Sequence, residues 1–142
     1  MPKIDSFRGK YYFLSNFYPA QLTYNEVTYL NAEAAFQAQK VFSKEEQLLF
    51  ANLLPSEAKR LGRRVNLRPD WDRVKDQIMY EVVKAKFEQN PDLRAKLLAT
   101  GYVYLEEGNT WGDRYWGVDA NGVGLNKLGH ILMQVRCELQ TY

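Results

Sequence analysis

From Asp70 onward the chain carries its clearest helical periodicity. Trp71, Val74, Ile78, Val82 and Ala85 fall in steps of three or four, which gathers apolar side chains on one side of an α-helix. A stripe of that kind has to be buried, so the remaining segments must supply elements that cover it. Asp70 stands where it can cap this helix. In 142 residues with 46% hydrophobic and 25% charged residues, one domain with a real core is expected, without metal or disulfide staples. Cys137 is the only cysteine, which excludes an intrachain disulfide and makes a reducing, cytoplasmic setting the expectation.

The covering elements can be read from propensity and punctuation. Tyr11 to Leu14 and Leu22 to Leu30 are rich in residues that suit strands, and Asn25-Glu26 offers a turn, so the segment reads as a hairpin. Asn31 can cap the helix NAEAAFQAQKVF, and Ser43 with Glu46 has capping-box spacing for another. PSEAKRL is a short helix closed by Gly62, followed by a polar loop to Pro69. Asn90-Pro91 opens a helix that turns Leu93 and Leu97 inward and stops at Gly101; Tyr102 to Leu105 reads as a strand and Leu125 to Leu139 as the last helix. Between them, Glu107 to Gly124 is a long loop rich in glycine and aromatic rings, the kind of connection that carries function.

Charge and composition narrow the function classes. A net charge of +2 is too small for nucleic-acid binding by bulk electrostatics, so any anion must be met locally. No apolar run is long enough to span a membrane, and no signal-peptide pattern opens the chain. His130 and Cys137 lack partners at metal-ligand spacing. The expectation is a protein without cofactor or metal.

Three segments could carry chemistry. Glu33, Gln37 and Lys40 are spaced by four and three, so they project from one side of their helix. That line is either a solvated face or, if turned into a cleft, a desolvated lysine of lowered pKa beside an acid that moves its protons. The loop around Glu106, Glu107, Trp111, Asp113 and Trp116 sets carboxylates beside rings, which suits glycosidic chemistry; the alternative is a structured loop with both Trp residues plugged into the core. Lys59 to Arg68 is the most basic stretch. Most of it reads as a solvated helix end, with Arg63 singled out as a phosphate ligand. Gly122, Gly124 and Asn126 could present backbone amides to a phosphate. His130 reads as an ordinary helix residue, and Arg136 as the partner of a carboxylate.

Taken in order, FRGKYYFLSNFYP, AEAAFQAQK, LGRR, DWDRVKDQIM, AKFEQNPDLRAKLLATG, LEEGNTWGDRYWGV and GLNKLGHILMQVR resemble the successive motifs of the NADAR, or YbiA-like, family from about Phe7 to Arg136. The resemblance implies an α+β, mostly helical fold and a cofactor-free N-glycosidase. It would cleave the bond between a phosphorylated ribose and the exocyclic amine of a base, as in early riboflavin-pathway intermediates. Removal of ADP-ribose from guanine in nucleic acid is the alternative, and a non-catalytic ADP-ribose- or NAD-binding module is the second. Carried over by motif, Lys40, Glu33, Glu107 and Asp113 are the implied catalytic residues. Asn16, Phe36, Gln37, Arg63, Trp116, Gly117 and Asn126 are the implied substrate contacts. One departure from the family pattern, Ala34 and Ala35 after Glu33 where relatives carry an aromatic residue or His, implies a more open wall beside that acid.

Overall fold

The computed structural model describes residues 2–140, and the chain divides into two units: residues 16–91, and residues 2–15 together with 92–140. The fold is α+β and mostly helical, with four short strands.

In the 16–91 unit the first element is a hairpin. Here β2 (Pro19–Tyr24) pairs antiparallel with β3 (Val27–Asn31), with Leu22 opposite Tyr29 and Tyr24 opposite Val27. Asn25 and Glu26 both take positive φ, 50° and 69°, the backbone that lets a two-residue turn follow the right-handed twist of its strands. Along β3 burial alternates, Val27, Tyr29 and Asn31 inward. The free edge of β2 is covered from the end of α4 (Trp71–Gln89): the Gln89 amide donates to Thr23 O at 2.8 Å and accepts from Thr23 N at 2.7 Å. That substitutes a side-chain amide for a missing neighbouring strand.

Asn31 ends β3 and caps α1 (Ala32–Ala38), its Oδ1 accepting from Ala34 N at 2.7 Å. Every residue of α1 is buried, and Ala34, Ala35 and Ala38 are wholly so. Three methyl-sized side chains let α3 (Pro55–Gly62) and α4 pack closely on this helix. Ala34 and Ala35 therefore serve helix packing. After α2 (Lys44–Leu48), capped by Ser43 Oγ at 3.4 Å, the chain enters α3 with Glu57 Oε1 accepting from Leu54 N at 2.8 Å.

Three expectations need correction here. Ser15 aside, Gly9–Leu14 forms a 3-10 helix, so Tyr11 to Leu14 is not a strand of the hairpin; Phe13 and Leu14 are buried from it. Asp70 makes no side-chain cap for α4, because both of its carboxylate oxygens accept from Arg68, at 2.7 and 2.9 Å; a bidentate charged pair outcompetes one neutral amide. Within α4, Trp71, Ile78 and Val82 are buried as expected, whereas Val74 and Ala85 are only half-buried and Met79, Val83, Lys86 and Phe87 complete the inward face.

In the other unit, β1 (Lys3–Ile4) runs parallel to β4 (Tyr104–Leu105), Ile4 beside Leu105. α5 (Pro91–Ala99) buries Leu93 and Leu97, then the chain turns at Gly101 with φ 65°. α6 (Lys127–Leu139) buries Leu128, Ile131, Leu132, Val135 and Leu139 and packs along β4. Arg136, buried on the same face, donates to Thr100 Oγ1 at 2.9 Å and Val103 O at 2.8 Å. It is satisfied by neutral oxygens, not by a carboxylate, and burial pulls its pKa below the ordinary arginine value. Among the described residues no helix is long and apolar enough to cross a membrane.

Candidate active site

The line of Glu33, Gln37 and Lys40 is not a solvated face. α1 ends at Ala38, and the chain continues in tighter turns, Lys40 N donating to Gln37 O at 3.1 Å. Glu33 and Gln37 are 9% and 7% exposed, while Lys40 is half-buried. Gln37 Nε2 donates to Glu33 Oε2 at 2.8 Å, which fixes the carboxylate inside the helix packing. The Glu33 backbone N–H donates to Asn16 O at 3.0 Å, and the buried Asn16 side chain donates to Met79 Sδ at 3.2 Å. Asn16 thus ties the chain entering the hairpin to the first turn of α1.

Lys40 Nζ donates to the Gly62 carbonyl at 3.3 Å. The Lys40 carbonyl accepts from Arg68 N at 2.8 Å, and the Arg68 guanidinium lies 4.4 Å over the Phe42 ring, so the turn that presents the lysine is held on both sides. Burial holds the Lys40 amine below the ordinary lysine value; the nearby Glu33 carboxylate opposes this, and Arg63 and Lys59 reinforce it. A lysine in these surroundings is more readily neutral, and therefore nucleophilic, than one in water. Arg63 itself is exposed, free of the helix packing and close enough to be felt at Lys40. Phe36 is buried, with its ring centroid 5.1 Å from that of Trp71 at 53°. That contact anchors α1 on α4.

The second group of candidates belongs to the other unit. Asn109, 3% exposed, organises it: its amide donates to Glu107 Oε2 at 2.9 Å and to Asp113 O at 2.9 Å, and its Oδ1 accepts from Asp113 N at 2.9 Å. Glu107 N donates to Asn126 Oδ1 at 2.9 Å. A Cβ at Gly117 would overlap the Glu107 carboxylate and carbonyl, so only glycine lets the returning strand lie against this acid. The Asp113 carboxylate accepts from Tyr115 N at 3.0 Å and Trp116 N at 2.9 Å, shaping the turn that carries both rings. Trp116 is half-buried and meets the Tyr115 ring edge-on at 4.8 Å, whereas Trp111 is 59% exposed; the two Trp residues are not both core plugs.

Asn126, in the left-handed region at φ 51°, donates to Leu105 O at 3.0 Å and to the Tyr104 hydroxyl at 3.2 Å. Its backbone amide donates to Gly117 O, and the amides of Leu125, Lys127 and Leu128 donate to Arg114, Tyr115 and Trp116 carbonyls. Of the amides expected to face a phosphate, those of Gly122 and Asn126 donate within the loop, to Asp119 O at 2.9 Å and Gly117 O at 3.2 Å. A cleft of about 460 Å³ in this unit is lined by Lys3, Asp5, Arg8, Glu106, Asn109 and Asp119 among others, and Glu107 is not on its wall. His130 is exposed, its ring edge-on to Tyr104 at 6.0 Å. Among the described residues no three His, Cys, Asp or Glu side chains are grouped to hold a metal ion.

Sequence reasoning missed Asn109. Its signal was present: an amide two residues after Glu107 and four before Asp113 can bond the carboxylate of the one and the backbone of the other at once. It also missed Lys86, buried at the α4 core face, for which the apolar stripe gave no signal.

The NADAR domain profile matches residues 5–140. The chain is 40% identical over 128 residues to N-glycosidase YbiA of Shigella boydii, covering 88% of this chain and 79% of that protein. It is 42% identical over 132 residues to N-glycosidase Npun_R5314 of Nostoc punctiforme, covering 89% and 84%. It is also 39% identical to the riboflavin biosynthesis protein VVA0006 of Vibrio vulnificus, covering 92% of this chain but 36% of that protein. The NMR structure of YbiA from Escherichia coli superposes with a TM-score of 0.84 at 37% identity, covering 98% of this chain and 84% of that one. With the profile matched over residues 5–140 and the fold superposing on that of YbiA, the chain belongs to the NADAR family.

Proposed function

We propose that this chain is an N-glycosidase that hydrolyses the bond between a phosphorylated ribose and the exocyclic amine of a heterocyclic base, with Lys40 as the nucleophile. The enzyme class rests on relatives named N-glycosidases at about 40% identity over most of the chain. A riboflavin-pathway phosphoribosylamino-pyrimidine as substrate fits the relative named for riboflavin biosynthesis and the small net charge of +2, which gives little attraction for a polyanion. The chain's own observation in favour of the mechanism is the half-buried Lys40 amine, pulled below the ordinary lysine pKa beside the enclosed Glu33 carboxylate.

The chemistry uses a property of the substrate. An N-ribosyl amine opens its sugar ring to an imine between C1 and the exocyclic nitrogen. Neutral Lys40 adds to C1, forming a C–N bond and leaving a geminal diamine. Glu33 takes the proton lost by the lysine nitrogen and returns one to the exocyclic nitrogen, whose bond to C1 then breaks and releases the base as a neutral amine. Water adds to the Lys40 Schiff base that remains, and its collapse frees the sugar and restores the amine. No oxidant or reductant is consumed, and the net change is hydrolysis. Arg63 is assigned to the phosphate, and in the other unit Asp113 supports the turn that carries Trp116. A lone, exposed Cys137 is compatible with the cytoplasm as its compartment.

The test offers the purified protein a phosphoribosylamino-pyrimidine and, separately, ADP-ribosylated guanine in an oligonucleotide, and identifies the liberated base by mass spectrometry. Release from the metabolite, abolished in Lys40→Ala with ligand affinity retained, is the expected result. Release only from the oligonucleotide replaces the substrate assignment, and binding without release from either substrate refutes the enzyme.

A further inference from the structure

We infer that Gly62 is a positioning residue for the Lys40–Glu33 pair, acting through the side chain of Gln37 and through its own carbonyl. The inference rests on the proposed role of Lys40 and goes beyond it by naming what holds the pair in register.

Gly62 closes α3 and is buried, yet its backbone is not among those with positive φ. The following residue, Arg63, is also right-handed at φ −81°, ψ −13°. A glycine that ends a helix is ordinarily needed because the chain turns left-handed there, and that reason does not apply. Conformation alone would favour alanine, the better helix former. What forbids alanine is space. A Cβ at Gly62 would overlap Gln37 Oε1 and lie 2.9 Å from Gln37 Cδ.

Gln37 has no easy retreat from such an intrusion. It is 7% exposed, and its Nε2 donates to Glu33 Oε2 at 2.8 Å. Its Oε1 has no hydrogen-bond partner among the described residues and is packed toward Gly62. Turning the amide over would set Oε1 against the Glu33 carboxylate, oxygen against oxygen. The amide therefore stays as it is only while residue 62 has no side chain. On its other side Gly62 offers its carbonyl to Lys40 Nζ at 3.3 Å. One residue thus touches both arms of the site: the amide that orients the acid, and the amine.

The test is a double-mutant cycle of Gly62→Ala and Gln37→Ala, with kcat, KM, the pH profile and the melting temperature read for each protein. Gly62→Ala should lower kcat about tenfold or more, the size expected when acid–base groups lose their alignment, with KM changed less. It should also raise the midpoint of the pH profile, because displacing Gln37 lets water reach Lys40 and relieves its burial. In the Gln37→Ala background the clash is gone, since the Cβ of residue 37 lies 3.4 Å from the added methyl; Gly62→Ala should then change kcat by less than about twofold. If Gly62→Ala alone does not fold, that second comparison still decides. Wild-type kcat and pH midpoint in Gly62→Ala, or the same loss in both backgrounds, overturns the inference. Should Lys40→Ala prove fully active, the functional reading fails separately; the coupling is then read from the pH dependence of Lys40 acylation, mapped by mass spectrometry, which must shift in Gly62→Ala and not between the two Gln37→Ala proteins.

Discussion

Replacing Lys86 by Met should stabilise the protein most below about pH 7 and remove a specific part of its pH dependence. Lys86 is 1% exposed on the inward face of α4, its Nζ 5.0 Å from the centre of the Phe87 ring and 5.9 Å from that of Tyr18. Burial pushes its pKa from 10.5 down to about 7, because the charged amine has left water. The unfolded chain binds that proton more tightly than the folded one, so stability rises with pH between about 7 and 10.5. At about 1.4 kcal/mol per tenfold, the full difference is roughly 5 kcal/mol, present below pH 7 and gone above the unfolded value. Between pH 7 and pH 9 the wild type should gain about 2 kcal/mol from this group. Met keeps the volume and the contact with both rings while removing the titration. Urea unfolding of both proteins at the two pH values measures it: the wild-type gain should exceed that of Lys86→Met by about 2 kcal/mol. Equal gains in both proteins refute the reasoning.

Other outcomes follow from the site. The kcat/KM of the wild type should rise with pH through the lowered Lys40 value and level above it, because only the neutral amine adds to carbon; Glu33→Gln removes the charge that raises that value and should move the midpoint down, whereas Arg63→Ala removes a cation that lowers it and should move the midpoint up. Asn109→Ala leaves Asp113 N and O and Glu107 Oε2 without their amide partner and should cost roughly 2–3 kcal/mol by urea denaturation. Arg136→Met should lose less stability than Arg136→Ala, since the methionine fills the volume while giving up the bonds to Thr100 and Val103, a difference visible in melting temperature.

Local signals served well wherever the deciding interaction lies within a few residues. The Asn25-Glu26 turn and the Asn31 cap are of this kind, as are the Leu93 and Leu97 pair and the ends of the last helix. The 3-10 helix at Gly9–Leu14 was hidden because its tyrosines are as good for strands as for anything else. Asp70 was read as a cap because its competitor, Arg68, is only two residues away and equally ordinary in sequence. The spacing of Glu33, Gln37 and Lys40 favours a solvated face over a cleft. The all-buried α1 removes the solvated face for Glu33 and Gln37, and that burial comes from Ala34, Ala35 and Ala38 admitting neighbouring helices. Gly62 looked like a helix stop; its steric role depends on Gln37, 25 residues earlier in the chain, a pairing that no local pattern carries.

Lys40 and Lys86, both in the 16–91 unit, have pKa values below the ordinary lysine value. Lys86 is sealed in the core, while Lys40 is half-buried. Sodium borohydride added during turnover, followed by peptide mapping, reads the covalent step directly. A reduced sugar-phosphate adduct on Lys40, absent in Lys40→Arg, is the predicted result. Turnover with no adduct on Lys40, or unimpaired turnover by Lys40→Arg, contradicts it.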